Sequence, residues 1–172
     1  MAARIEEAKL VGFPASVSRR EAQVDVYQQA FEQNRHRIYS LAFWMTDNEL
    51  TAEELVINTL CRAFVLGPAP DAESVDRALI FELRQLMPLG SLTVQCAPCS
   101  EVVGLRRNIK RADLERAIVQ LSPTERLIFL LHDVESHDHA QIGRLLGLSP
   151  QESACGLHQA RLRLRELLAA GN

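Results

Sequence analysis

HDHAQIGRLLGLSPQESACGLHQARLRLR, from His137 to Arg165, reads as two helices joined by a tight turn. Asp138 or Ser136 can cap the first helix, and Ile142, Leu145 and Leu146 fall on one of its faces. Gly147 supplies the left-handed residue that ends it. Ser149, Pro150 and Glu152 then form a helix start, with a serine cap, proline at the first helical position and glutamate at the third. Leu157, Ala160, Leu164, Leu167 and Leu168 carry the apolar stripe onward. Two helices around a glycine turn of about four residues make a helix-turn-helix, whose second helix can enter a major groove.

The flanking sequence repeats the same grammar. Ser122-Pro-Thr-Glu125 starts a helix with Ile128, Leu131 and Val134 inward, and Ile109 to Leu121 predicts another before it. Upstream lies PLGSLTVQCAPCSEVVG, with two prolines, two glycines and no sustained period. Residues 88–106 therefore read as a linker. Asp71 to Met87 predicts a helix with Val75, Ala78, Leu79, Leu83 and Leu86 inside. Thr51-Ala-Glu-Glu54 reads as a capping box opening a helix that buries Leu55, Val56, Thr59, Leu60, Ala63 and Phe64, stopped by Gly67, Pro68 and Pro70. A first helix opens at Ser18–Glu21, buries Val24, Tyr27, Phe31, Ile38, Leu41, Ala42 and Met45, and is interrupted at Asp47 and Asn48. No strand-like alternation of useful length occurs. The fold class expected is all-α: two small helical bundles, residues 18–87 and 107–170, joined by a linker.

Composition agrees with a globular domain pair. The chain has 172 residues, 47% of them hydrophobic and 24% charged. The start MAARIEEAKL predicts no secretory leader, and no apolar run approaches the roughly 18 residues of a membrane span. A cytoplasmic protein with no membrane partner is expected, in which Cys61, Cys96, Cys99 and Cys155 are thiols. Net charge is -3, with -4 on residues 1–100 and +1 on residues 101–172. A strongly basic nucleic-acid binder is excluded, whereas a local basic patch in the last helix is not.

The chain resembles a bacterial RNA polymerase sigma factor of the compact extracytoplasmic-function type, which keeps only regions two and four. LAFWMTDNELTAEELVINTLCRAF, Leu41 to Phe64, is similar to the region-two pattern, in outline LALRMLGD-ADAEDL-QEVFLRAW. ESHDHAQIGRLLGLSPQESACGLHQARLRLRELL, Glu135 to Leu168, is similar to region four, EG-S--EIA--LG-S--TVKSRLHRAR-RLRELL. The two segments stand in the family's order with a linker between them. The resemblance implies a transcription initiation factor that binds core RNA polymerase and directs it to promoter DNA, with an anti-sigma factor as a further partner. It implies polymerase docking near Glu53, Glu54, Asn58 and Arg62. Region two would read and melt the -10 element, and region four would read the -35 duplex near Arg144, Ser149, Gln151, Glu152, His158, Arg161, Arg163 and Arg165. For this family, packing of the two units over the DNA face is expected in the free protein.

The residues depart from the family in two places. Where it carries T-V-K-S-R, this chain has Glu152, Ser153, Ala154, Cys155 and Gly156. Alanine and glycine supply no phosphate or base-edge contact, and glycine weakens a helix by about 1 kcal/mol relative to alanine. Glu152 reads either as a capping residue or as an acceptor for a cytosine amino group. After the second helix the family has a tryptophan-rich motif and a basic run that hold single strand. Here Phe81 is the only aromatic of SVDRALIFELRQLMPLG, and Arg77 and Arg84 its only bases. The alternative reading is a sigma-like interaction protein that binds polymerase or an anti-sigma partner without specific promoter readout. A third is a dimeric helix-turn-helix regulator of a palindromic site.

Other features are bland. Cys96-x-x-Cys99 lacks a second ligand pair, so two linker thiols are favoured over a redox switch or half a zinc site. His137-x-His139 at a helix mouth reads as polar surface, and His158 as DNA-facing or simply exposed. Trp44 reads as core. No phosphate loop, nucleophile elbow or metalloprotease signature is present. No enzyme, cofactor or metal is expected.

Overall fold

The computed structural model describes residues 15–67, 69–90, 92 and 109–170, with backbone alone for 15–22. Among the described residues seven α-helices follow one another: α1 (Ala15–Thr46), α2 (Glu49–Leu66), α3 (Ala72–Leu86), α4 (Arg111–Val119), α5 (Pro123–Phe129), α6 (His139–Leu146) and α7 (Pro150–Ala170). A π-helical turn, Leu130–Val134, continues α5. No strand occurs among the described residues, and none of their helices is long and apolar enough to cross a membrane. Cys96 and Cys99 lie outside the described residues.

Helix starts are set by short polar side chains, though not always the expected ones. α1 already runs at Ala15, so Ser18 sits inside it and caps nothing. Asp47 takes a left-handed conformation (φ 53°), and the Asn48 side chain accepts the Thr51 amide at 3.0 Å. Asn48, not Thr51, therefore caps α2, because the turn at Asp47 brings the helix start forward. Asp71 accepts the Ser74 amide at 2.9 Å and caps α3, which runs within the expected 71–87. Asp138 rather than Ser136 caps α6, since Ser136 is itself left-handed (φ 61°). α4 is shorter than Ile109 to Leu121, opening after Lys110 and ending before Gln120.

Three expected core positions are instead open at the start of α1: Val24, Tyr27 and Phe31 are 59%, 40% and 38% exposed. The reason is length. α1 has 32 residues and α2 has 18, a difference of about 20 Å at the α-helical rise, so the first turns of α1 overhang the bundle. Tyr27 still meets Phe64 edge-on, ring centres 4.3 Å apart. Val134 turns outward because the π turn inserts one extra residue into the period. Leu86, at the end of α3, is exposed as well.

One apolar core runs through the whole assembly. Ile38, Leu41 and Met45 of α1, Leu55 and Leu60 of α2 and Val75, Leu79 and Leu83 of α3 are continuous with Leu127 and Ile128 of α5, Ile142 of α6 and Leu157 of α7. A smaller cluster joins Ala117, Ile118 and Leu121 to Ala160 and Leu164, with half-buried Trp44 and Phe129 against both clusters.

Polar cross-links follow the same seam. Arg126 of α5 donates to the Met45 carbonyl at 2.9 Å and the Leu121 carbonyl at 3.1 Å, and also to that of Val119. It thereby satisfies the open ends of α1 and α4 at once. Burial draws its pKa below the ordinary arginine value, although nearby Asp47 opposes the shift. Arg84 of α3 likewise donates to the Leu146 carbonyl at the end of α6, at 2.8 Å.

Candidate nucleic-acid interface

The turn between α6 and α7 is made backbone to backbone. Gly147 adopts φ 76°, and the amides of Gly147 and Leu148 both donate to the Gly143 carbonyl, at 2.8 and 2.9 Å. A Cβ on Gly143 would stand 2.6 Å from the Leu148 carbonyl oxygen, so only the smallest side chains let α7 leave at this angle. At the start of α7, Ser149 and Glu152 cap reciprocally. The Glu152 carboxylate accepts the Ser149 amide and hydroxyl, both at 2.7 Å, and the Ser149 hydroxyl accepts the Glu152 amide at 3.1 Å. The bond from the Ser149 backbone, then that from its hydroxyl, hold the Glu152 carboxyl below its ordinary pKa. Of the two roles open to Glu152, capping is the one its geometry fills.

α7 then presents two faces. Ser153, Gly156, Leu157 and Ala160 point inward. Ser153 is fully buried and its hydroxyl lies 3.1 Å from His139 Nδ1. Gly156 is a packing residue, since a Cβ there would lie 2.7 Å from Ile128 Cδ1 and 3.1 Å from a Leu92 methyl. It is therefore no gap in a DNA-reading face, and the departure on the outer face narrows to half-buried Ala154 and exposed Cys155.

Arg144, Ser149, Gln151, Glu152, His158, Arg161, Arg163 and Arg165 are all exposed. Their exposure means that the first three helices do not cover this face, contrary to the expectation for the family; they pack instead against α4, α5 and α6. The arginines differ in how free they are. Arg161 grips Asp133 of the π turn through two nitrogens, at 2.6 and 3.1 Å. Burial raises the Asp133 pKa, but hydrogen bonds from Arg161 and His132 outweigh it and leave the carboxyl below its usual range. Arg163 stands 3.6 Å from Glu166. Arg144 and Arg165 have no ion pair among the described residues, so their charge is open to a phosphate.

On α2, Glu53, Glu54 and Asn58 are exposed. Arg62 is turned inward over the Phe81 ring, 3.6 Å from its centre, and pairs with Glu82. It is held by α3 rather than presented beside the other three. The sequence reading missed the apolar residues that share this outer surface: Leu50, Ile57 and Val65 are 73%, 59% and 86% exposed. Leu50, Glu54, Ile57, Cys61 and Val65 recur every three or four residues, a spacing that would have revealed a second stripe on α2. The Arg62 guanidinium covers one face of Phe81, whose ring is otherwise exposed, and Arg84 is engaged at the Leu146 carbonyl.

His137 and His139 have structural partners. His137 meets Asp76, and His139 stacks on His132 with ring centres 4.7 Å apart. No group of three metal-ligating side chains occurs among the described residues.

Residues 111–164, from the start of α4 into α7, match the family model described as sigma-70, region 4. A search of curated proteins found no match. Among solved structures, the chain is similar to the sigma factor RpoE from Bartonella quintana, solved in complex with the anti-sigma factor NepR. The identity is 16% and the TM-score 0.63, covering 85% of this chain and 98% of that one. That likeness extends the shared fold from the matched segment to the α1–α3 bundle.

Proposed function

We infer that this chain is a compact sigma factor of the extracytoplasmic-function type, which binds core RNA polymerase and directs it to promoter DNA. The observation that carries the reading is residues 111–164. They match region 4 and fold into a helix-turn-helix whose recognition helix keeps an exposed outer edge. In this reading the unit at 18–87 is the region-two part, 88–106 the connection, and 107–170 the region-four part, and the protein works in the cytoplasm as a non-enzymatic factor. Polymerase docks on the outer surface of α2, through Glu53, Glu54 and Asn58 with Leu50, Ile57 and Val65 around them. Arg62 serves by steadying α2 on α3. Duplex DNA meets the edge carrying Arg144, Ser149, Gln151, His158 and Arg165, with Arg161 and Arg163 behind their carboxylates.

Ala154 and Cys155 on the outer face, and the pairing of Arg161 with Asp133, favour a second reading in which base readout is weak. The chain would then act through polymerase or a protein partner of the anti-sigma kind. Co-elution and fluorescence anisotropy with purified core polymerase test the first reading without knowledge of a promoter. Tight binding, lost in the Glu54→Lys, Asn58→Ala double variant, is expected. Absence of binding by the wild type would sink it.

A further inference from the structure

The outer face of α7 carries an unusual set of groups for a helix that meets DNA. Ser153, Gly156, Leu157 and Ala160 face inward. Gln151, Ala154, Cys155 and His158 recur at intervals of three and four residues on the opposite side. Gln151, Cys155 and His158 are exposed, and Ala154 is half-buried at the edge of the face. Gln151 makes no hydrogen bond among the described residues, so both ends of its amide are free. The Glu152 carboxylate is committed to the Ser149 amide and hydroxyl. α7 has no lysine, and its first arginine is Arg161, the twelfth residue counted from Pro150. That places it roughly 17 Å along the helix at the α-helical rise, where Asp133 holds it.

In a helix-turn-helix the N-terminal residues of the second helix meet base edges in the major groove. Each base there is read by its own chemistry. Guanine takes arginine or lysine, cytosine a carboxylate, adenine the paired donor and acceptor of a side-chain amide, and thymine an apolar contact with its methyl group. The first three turns of α7 hold no cation, and their one carboxylate, Glu152, is turned to the cap. They offer instead a free amide, a methyl group, a thiol and an imidazole. A small thiol packs as an apolar group, and one imidazole hydrogen bond to a purine N7 does not separate adenine from guanine. We propose, resting on the sigma-factor reading, that the duplex element of this protein is read through adenine and thymine, without guanine. The Gln151 amide nitrogen donates to adenine N7 and its oxygen accepts from adenine N6, while Ala154 and Cys155 pack on thymine methyl groups beside it. Ala154, standing where the family carries lysine, exchanges a charged contact for an apolar one. Arg144 and Arg165 add phosphate contacts that carry no sequence information.

The test is selection from a pool of randomised DNA duplexes by the full chain, both by itself and with core polymerase, followed by sequencing of the bound fraction. A short A·T run with no fixed guanine or cytosine is expected. On the selected duplex, deoxyuridine in place of thymidine removes the methyl group and keeps every hydrogen bond. It should weaken binding by about fourfold per contacted methyl group in anisotropy titrations. Replacing adenine by 7-deazaadenine removes N7 and should cost about tenfold at one position. Gln151→Ala should abolish that second effect, and Gln151→Arg should move the preference at the same position to guanine. Binding insensitive to both base analogues would assign the selected sequence to groove shape and overturn the proposal. A fixed guanine in the wild-type selection, or no enriched sequence in either form, would overturn it too. Co-elution with core polymerase is measured separately. Polymerase binding with a failed selection overturns the base code and leaves the sigma reading standing. Selection of the A·T run by a chain that does not bind polymerase removes that reading and leaves the code intact.

Discussion

Arg161 and Arg144 show how far a residue's type falls short of its role. Both are exposed arginines in the second bundle, and the family resemblance nominates both as duplex contacts. Arg161 is neutralised by a two-pronged pair with Asp133, whereas Arg144 has no such partner among the described residues. Each phosphate contact contributes roughly one unit to the slope of log affinity against log salt. Arg144→Ala is expected to flatten that slope by about one unit on a random-sequence duplex, and Arg161→Ala by less than half of that. Anisotropy titrations across salt concentrations measure both. Equal losses would mean that Asp133 releases Arg161 to DNA. Gly156 makes the same point in reverse: its cost to helix propensity is legible in sequence, while its use in letting Ile128 and Leu92 approach α7 is not.

At the scale of elements, local chemistry was read well. The Ser149–Glu152 start, the Gly147 stop and proline at the head of α5 all stand where the sequence predicts them. These features act within one turn of backbone, so their signals are complete in a few adjacent residues. The α7 cap carries a pH signature. Because the folded pKa of Glu152 lies below its ordinary 4.5, the carboxylate adds stability above that value. The contribution is lost as pH falls through the lowered folded pKa. Urea unfolding should find Glu152→Gln less stable than wild type at pH 7, with the gap narrowing as the pH falls below the ordinary glutamate value. A gap that does not narrow with falling pH would show that carboxylate charge is not what holds the cap. Boundaries failed where geometry beyond one turn intervened, as at the left-handed Asp47 and the π turn that rotates Val134 to solvent.

For the whole molecule, the shared core makes the two bundles one unfolding unit. Leu83 of α3 is fully buried in the cluster that also holds Leu127, Ile128 and Ile142. Leu83→Ala should cost about 3 kcal/mol, and Trp44 fluorescence and far-ultraviolet circular dichroism should still move together in a single transition. Two separated transitions would show that the bundles fold independently and touch only weakly.

The sequence by itself determined an all-helical chain, many of its caps and stops, the helix-turn-helix, and the apolar stripe of α7 at Leu157, Ala160 and Leu164, because periodicity and capping are local. It also carried the family likeness, since both motifs are short and contiguous. Only the tertiary structure decided that α1–α3 leave the outer edge of α7 exposed, that Arg84 and Arg126 serve the seam, and that Asp76 lies buried between Arg37 and His137. Those outcomes join residues 39 to 82 positions apart. No helical period or cap reaches across such separations, and partners there are chosen by which apolar faces bury one another and by the charges that burial forces to pair.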